Sequence, residues 1–300
     1  MTIKTGILAA LAVVTLAFVL VWVRSLRSAV GARNRHDAPA PPTVFQLIVG
    51  FVTNFFDTLG IGSYAPTTAI FKLQGMVPDE RIPGTLTIGH ALAAITQTFI
   101  FVKLVEVDGL TLALMIAVAV LGAWLGAGVV ARWPRRNIQV GMGVALLVAA
   151  TLFTMGNLHV FPLGGTALSL ADGKLGVGLA VNFVLGSLMT IGVGLYGPCM
   201  ILVSLLGMNP QAAFPIMMGS CAFLMPVSGV RFLANRSYSV RPALGLAIGG
   251  SPAVLIAAFI VKSLPLTWVR WLVVVVVLYS ASMMLRSAWL ERNKDLGLRT

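Results

Sequence analysis

The chain alternates between long apolar runs and short polar stretches. After a first run at residues 6–23, further runs occupy residues 44–73, 85–102, 110–131, 138–155, 175–206, 212–232, 240–261 and 268–285. Each uninterrupted run is about as long as a helix that crosses a ~30 Å hydrocarbon layer. Ten-residue segments of strict apolar–polar alternation, which mark outer-membrane barrels, do not occur in the sequence. The pattern predicts an all-α, polytopic integral membrane protein.

Composition supports this prediction and identifies the lipid bilayer as the surrounding partner. Hydrophobic residues make up 58% of the chain and charged residues 10%, whereas soluble domains carry roughly 25% charged residues. The net charge of +12 comes from short arginine clusters between the apolar runs, as the positive-inside rule produces. Nucleic-acid binding needs a concentrated basic face, so no nucleic-acid partner is expected. We expect a multi-pass protein of the bacterial inner membrane.

The N-terminal run resembles a signal peptide in length but not in charge order. Only Lys4 precedes it, Arg24 and Arg27 follow it, and no A-x-A cleavage site comes next. We therefore expect residues 1–43 to form a retained transmembrane helix with its N-terminus outside, followed by a cytoplasmic linker from residue 24.

Two apolar runs are interrupted, and their interruptions match. The stretch Gly60-Ile-Gly-Ser-Tyr64-Ala-Pro66 corresponds to Gly192-Val-Gly-Leu-Tyr196-Gly-Pro198 at an offset of 132, and 9 of the 21 positions from 58 to 78 are identical. Such self-similarity predicts an internal duplication. We assign the first repeat to residues 44–156, an external loop to 157–173, the second repeat to 174–290 and a cytoplasmic tail to 291–300.

Charge counting favours repeats that are inverted relative to each other. If each interrupted run is a re-entrant hairpin, each repeat has three spans, and this odd number inverts the second repeat. Residues 24–43, 132–136 and 231–241, which are rich in arginine, then lie on one side. Lys262 and Arg270 fall on the opposite side in this arrangement. Two parallel repeats of four full spans each remain the alternative.

The breaks themselves predict an anion site. Backbone groups cannot face lipid unsatisfied, so a break must be buried in protein or line a polar cavity. Pro66 and Pro198 suit the first turn of a second half-helix, and each such N-terminus carries about half a positive charge with free amide donors. Inverted-repeat transporters bind substrate at such breaks. The alternative is that both breaks are packing kinks.

Polar side chains at membrane depth concentrate in the first repeat. Asp57 precedes the first break, with Asn54 one turn earlier, and Thr87, His90 and Gln97 share one face of the following helix. The second repeat has Met189, Ser204 and Ala222 where the first has Asp57, Lys72 and His90, so it supplies a backbone counterpart. The candidate substrate-binding residues are Asn54, Asp57, Thr58, Gly60, Gly62, Tyr64, His90, Gln97, Gly192, Gly194 and Tyr196.

Several roles stay open for these side chains. Asp57 either relays a proton or repels wrong substrates, or it caps a half-helix or pairs with Lys72. His90 is either a substrate donor or proton acceptor, or a hydrogen-bonded interior histidine. Tyr64 and Tyr196 either hydrogen-bond the substrate or only pack at the tips of the two hairpins. Lys72 suits a position at the headgroups more than an anion contact, and Asn182 suits either a cap at the second hairpin or a contact with polar backbone.

The run Asn54-Phe-Phe-Asp57-Thr-Leu-Gly60-Ile-Gly62, the 78–83 loop, the 84–97 helix and the duplicated halves resemble the sulfite exporter TauE/SafE family, also called the toluene-sulfonate uptake permease family. The resemblance covers roughly residues 44–290. It implies a paired helical repeat and sulfur-containing anions such as sulfite, sulfoacetate or other sulfonates as substrates.

A permease for small anions, working by alternating access, is therefore the expected function. At about 100 mV, negative inside, export of a divalent anion gains roughly 4.6 kcal/mol, whereas uptake would need a coupling ion carried by Asp57 or His90. A membrane-embedded enzyme is one alternative, but it lacks a nucleophile–base pair, and the histidines (His36, His90, His159) and cysteines (Cys199, Cys221) have no metal spacing. No cofactor or metal is expected. A non-transporting scaffold or assembly protein is the other alternative.

Overall fold

A computed structural model of the chain describes residues 2–28, 41–126, 135–158, 165–190, 194–263 and 266–295. Within these residues the structure has eleven α-helices. Helix α1 spans Ile3–Ser28. The first repeat holds α2 (Val44–Thr58), α3 (Tyr64–Leu73), α4 (Ile82–Leu104), α5 (Gly109–Leu121) and α6 (Arg135–Asn157). The second holds α7 (Asp172–Met189), α8 (Tyr196–Leu205), α9 (Ala213–Ala234), α10 (Val240–Ser263) and α11 (Leu266–Asp295).

The predicted all-helical organisation is confirmed, and the differences lie at helix ends. Helix α1 continues to Ser28, five residues into the predicted linker, and α11 continues to Asp295, five residues into the predicted tail. The regular part of α5 ends at Leu121 and passes into a π-helical turn over Gly122–Gly126. The first interrupted run is broken where its Gly-x-Gly motif predicts, and in the second run one helix ends at Met189 and the next begins at Tyr196.

Backbone chemistry explains the first break. Helix α2 begins with a capping box, in which Gln46 N–H donates to Thr43 Oγ1 (3.2 Å) and Thr43 N–H donates to Gln46 Oε1 (2.9 Å). After Thr58 the chain turns through Gly60 (φ 97°) and Gly62 (φ 85°), a left-handed conformation that favours glycine. Helix α3 then starts with Pro66 in its first turn, as predicted.

The two repeats pack through equivalent, exchanged contacts. Helix α2 packs on α10 of the other repeat, and its counterpart α7 packs on α5. Helices α4 and α9, which are equivalent, pack on each other, as do α6 and α11. Glycines permit the closest approaches: a Cβ on Gly50 would lie 2.5 Å from the carbonyl oxygen of Gly245. This pattern of helix pairs is what a pseudo-twofold axis between the repeats produces.

The outer surface is apolar and the centre is closely packed. Exposed side chains include Val13 (68% exposed) on α1 and Phe259 (80%) on α10, which lipid can solvate. Within the described residues, four helical segments are long and apolar enough to cross a membrane: Ile3–Arg27, Ile82–Leu104, Pro210–Ala234 and Val240–Ile260. Shorter apolar helices accompany them, including Val44–Thr58 and Tyr196–Leu205. The chain is therefore a multi-pass membrane protein.

Candidate functional site

The first break folds back on the helix that precedes it. The Ser63 amide N–H, at the N-cap of α3, donates to Asp57 Oδ1 (2.6 Å) on α2. Both residues are buried, with Asp57 5% and Ser63 2% exposed. A carboxylate near a helix N-terminus is stabilised by the helix dipole and by the unpaired amides there. Asp57 thus caps the start of the half-helix α3 by accepting from its N-cap amide, and capping was one of the four roles considered for it.

Gln97 connects this carboxylate to the second repeat. Its Nε2 donates to Asp57 Oδ2 (2.8 Å) and to Thr58 Oγ1 (2.9 Å), while its Oε1 accepts from the Tyr196 hydroxyl (2.7 Å). Tyr196 is the first residue of α8, the half-helix that follows the second break. A continuous chain of hydrogen bonds therefore runs from the N-terminus of α3 to the N-terminus of α8.

A second chain of hydrogen bonds surrounds His90. Asn54 Nδ2 donates to the carbonyl of Gly50 (2.7 Å), which leaves Asn54 Oδ1 as the acceptor facing His90 Nδ1 (2.9 Å). In the neutral ring, Nδ1 therefore carries the hydrogen, and Nε2 accepts from the Thr67 hydroxyl (3.1 Å). Asn54 thus sets the tautomer of His90 and links α2, α3 and α4.

Tyr64 completes the buried polar cluster. The Thr87 hydroxyl donates to the carbonyl of Pro83 (2.8 Å), so Tyr64 is the donor in the contact between its hydroxyl and Thr87 Oγ1 (3.2 Å). The Tyr64 ring lies 6.1 Å from the His90 ring. The predicted polar face of α4 is confirmed, because Thr87, His90 and Gln97 are all buried and bonded within the protein.

The glycines of the two breaks differ in their surroundings. A Cβ on Gly60 would lie 2.7 Å from the methyl carbon of Met200 on α8, so the first tip packs against the second repeat. By contrast, a Cβ on Gly62 or on Gly194 would meet nothing within 4 Å, and both residues are half-buried. Among the described residues, no atom therefore fills the space beside Gly62 or Gly194. The predicted residue Gly192 lies outside the described residues.

Two expectations need correction. The free amides expected at the α3 N-terminus are not all free, because the Ser63 amide is bonded to Asp57. The second repeat also supplies more than a backbone counterpart, since the hydroxyl of Tyr196 enters the network of the first repeat. Asn182, for which either a cap or a contact with polar backbone was expected, makes the backbone contact, because its Nδ2 donates to the carbonyl of Met115 (2.7 Å) between α7 and α5.

Sequence reasoning missed Ser63, Thr67 and Gly250. Ser63 acts through its backbone, and a Cβ on Gly250 of α10 would lie 2.8 Å from Cγ of Asn54. No local pattern marks either contact. A signal for Thr67 existed, because it lies one turn into α3 on the same side as Tyr64, but the residue was not singled out.

The cluster places one carboxylate, one imidazole and several hydroxyl and amide donors at the meeting point of two broken helices. Among the described residues, no group of three or more His, Cys, Asp or Glu side chains is arranged to hold a metal ion. The arrangement can bind and orient a small polar guest through hydrogen bonds and can hold a proton on Asp57 or His90.

These features define a polytopic α-helical membrane protein with a buried polar centre between two helix breaks, the architecture of a carrier. The sequence matches the family described as sulfite exporter TauE/SafE over residues 2–153, just over half of the chain. The chain belongs to this family and is a membrane transporter, not an enzyme. The match includes α1 and ends at residue 153, within α6, so it begins earlier than the expected residues 44–290 and does not extend into the second repeat. No curated protein and no solved structure gave a significant match.

Proposed function

We propose that this transporter is a permease for small anions, with sulfite and organosulfonates as its substrate class. The observation that carries the proposal is the hydrogen-bonded path from Asp57 through Gln97 to Tyr196, with space beside Gly62 and Gly194 that no described atom fills. Unwound backbone at membrane depth is tolerated where it lines a polar cavity. Both breaks have polar neighbours.

The charge distribution at the two half-helices supports an anionic guest. The N-terminus of α3 already faces the carboxylate of Asp57. At the equivalent position before α8 the chain has Met189, which carries no charge. The partial positive charge at the start of α8 is therefore not neutralised from this position, and hydroxyl donors such as that of Tyr196 lie next to it.

The packing of the repeats supports inverted topology and alternating access. Helices α3 and α8 have ten residues each, or about 15 Å, which is too short to cross a ~30 Å layer. Each repeat then crosses the membrane an odd number of times after its hairpin, and the pseudo-twofold axis lies in the membrane plane. Rocking of one repeat against the other exposes the shared centre to either side. The arginine clusters favour an orientation with residues 231–241 inside, and the bacterial inner membrane is the location that we propose.

Gly194 offers the sharpest test, because no described atom other than its chain neighbours lies within 4 Å of a Cβ built there. The Gly194→Cys variant, reconstituted in liposomes, should transport [35S]sulfite or labelled sulfoacetate and lose that flux when an anionic thiol reagent is added. Either anion at saturating concentration should slow the modification. The native residues Cys199 and Cys221 are 0% and 1% exposed, so they should not react.

Gly176→Cys is the matched control. Gly176 likewise has nothing within 4 Å of a Cβ, but it lies within helix α7, exposed and away from the breaks. Modification there should leave flux unchanged and should not be slowed by anion. A folded protein that moves neither anion beyond empty liposomes would contradict the permease proposal. Full tolerance of Gly194→Leu would favour the scaffold alternative.

A further inference from the structure

We propose that Asp57, Gln97 and Tyr196 form a proton-linked relay that couples one proton to each transported anion. The proposal rests on the permease function above and adds the coupling ion and the residue roles. Asp57 holds the proton, Gln97 transmits the change as a positioning residue, and the hydroxyl of Tyr196 is the donor that binds the anion. The relay follows from the directions of the hydrogen bonds in this cluster.

In the observed state every bond in the relay has a fixed direction. The Thr58 hydroxyl donates to the carbonyl of Asn54 (2.8 Å), so the Gln97 atom 2.9 Å from Thr58 Oγ1 must be the donor Nε2. The same Nε2 donates to Asp57 Oδ2, and the Ser63 amide N–H donates to Oδ1. An ionised carboxylate accepts only, so both oxygens fit the ionised form of Asp57.

While Asp57 is ionised, the hydroxyl hydrogen of Tyr196 is also engaged in a hydrogen bond. With Nε2 turned toward Asp57, Gln97 Oε1 faces α8 and accepts the Tyr196 hydroxyl hydrogen at 2.7 Å. A tyrosine hydroxyl has one hydrogen to donate. While Asp57 is ionised, this hydrogen is therefore unavailable to a guest at the second break, and the negative carboxylate repels an anion as well.

Protonation reverses the relay. A proton on Asp57 Oδ2 must be donated, and the neighbouring acceptor is Gln97 Oε1 once the amide turns over. Nε2 then faces Tyr196 and donates to its oxygen, while the Thr58 hydroxyl can rotate to donate to Oε1. The hydroxyl hydrogen of Tyr196 is thereby released to bind an anion. One proton taken up from water accounts for the whole change, and no covalent bond other than the O–H bond forms.

The described residues around Asp57 supply no positively charged side chain to hold it ionised when an anion arrives. The ionisable side chains that face it within the described residues are Tyr64 from α3, Tyr196 from α8 and Cys221 from α9. His90 from α4 is held separately by Asn54 and Thr67. Residues 191–193, next to α8, are Ile, Gly and Val. A proton is therefore the counter-charge that the site can recruit.

The test uses proteoliposomes with the voltage clamped at zero by potassium and valinomycin. A pH difference of about one unit is set across the membrane. The balance point is the ratio of the inside to the outside concentration of [35S]sulfite or labelled sulfoacetate at which net flux stops, and this ratio is measured. One coupled proton displaces this balance point about tenfold. Asp57→Asn mimics the protonated state, so it should keep anion exchange and lose the tenfold displacement. The same anion is compared in both proteins, which cancels the protonation of the anion itself.

Gln97→Met tests the relay while Asp57 keeps its carboxylate. In this variant too, the pH gradient should no longer displace the anion balance point. Tyr196→Phe should raise KM for the anion roughly tenfold, the effect of one hydrogen bond to a charged group. Tyr64→Phe, at the equivalent tyrosine that donates to Thr87, should keep the displacement whatever its rate.

Equal balance points in the wild type and Asp57→Asn would overturn the relay and leave the permease function standing. A folded Asp57→Asn protein without anion exchange would also overturn it. Absence of flux of either anion in the wild type would instead remove the permease function, and the relay with it.

Discussion

Gly250→Ala should disturb the centre of the site from a position on α10, outside the proposed substrate-binding residues. The new Cβ would meet Nδ2 of Asn54, lie 2.8 Å from its Cγ and lie 3.3 Å from Cβ of Ala93. Asn54 cannot retreat freely, because its amide is held between the carbonyl of Gly50 (2.7 Å) and His90 Nδ1 (2.9 Å). The substitution must therefore displace the amide or separate α10 from α2.

The expected cost combines two effects. Overpacking a tight interior costs about 1–3 kcal/mol, and each weakened buried hydrogen bond of Asn54 costs about 1 kcal/mol or more. We expect a loss of about 3 kcal/mol in the free energy of unfolding. For a chain of this size that is on the order of 8 °C in Tm.

A thermal unfolding assay of the detergent-purified protein, followed by tryptophan fluorescence, measures this loss. Gly176→Ala is the control, since its Cβ meets nothing within 4 Å and alanine favours a helix by up to about 1 kcal/mol. In the Asn54→Ala background the clash is gone, so adding Gly250→Ala should cost little more. Additive losses in this double-mutant cycle, or a Gly250→Ala protein as stable as the control, would refute the reasoning.

Further predictions concern helix packing and His90. Gly186→Ala on α7 should lower stability more than Gly250→Ala, because its Cβ would meet the backbone carbonyl of Ala119 on α5, which cannot rotate away. The yield of monodisperse protein in size-exclusion chromatography reports this loss. A higher yield of Gly186→Ala than of Gly250→Ala would contradict the prediction. Thr67→Val should lower stability by about 1–2 kcal/mol, since His90 Nε2 loses its donor. The control is Thr96→Val, because the Thr96 hydroxyl donates to the carbonyl of Leu92 in its own helix, and this variant should unfold at nearly the wild-type temperature. Equal losses in the two variants would show that the contact with His90 contributes nothing.

Part of the site was predictable because it depends on local spacing. The polar face of α4 follows from helical periodicity, which places His90 and Gln97 on one side. The first break follows from glycines that adopt left-handed conformations, and both half-helices have a proline in their first turn. The capping role of Asp57 was one of four open alternatives, since nothing in the sequence shows how far the 59–63 loop folds back.

Periodicity, charge order and internal repetition, read along the chain, determined that the protein is a helical, duplicated membrane protein with two matched breaks. They could do so because lipid requires long apolar helices and because a broken helix needs glycine and proline at particular positions. Only the tertiary structure decided which polar groups meet: Gln97 with Tyr196, 99 residues apart, and Asn54 with Gly250. These contacts depend on how the helices of two repeats pack together, and packing distance between remote helices leaves no regular spacing in the sequence.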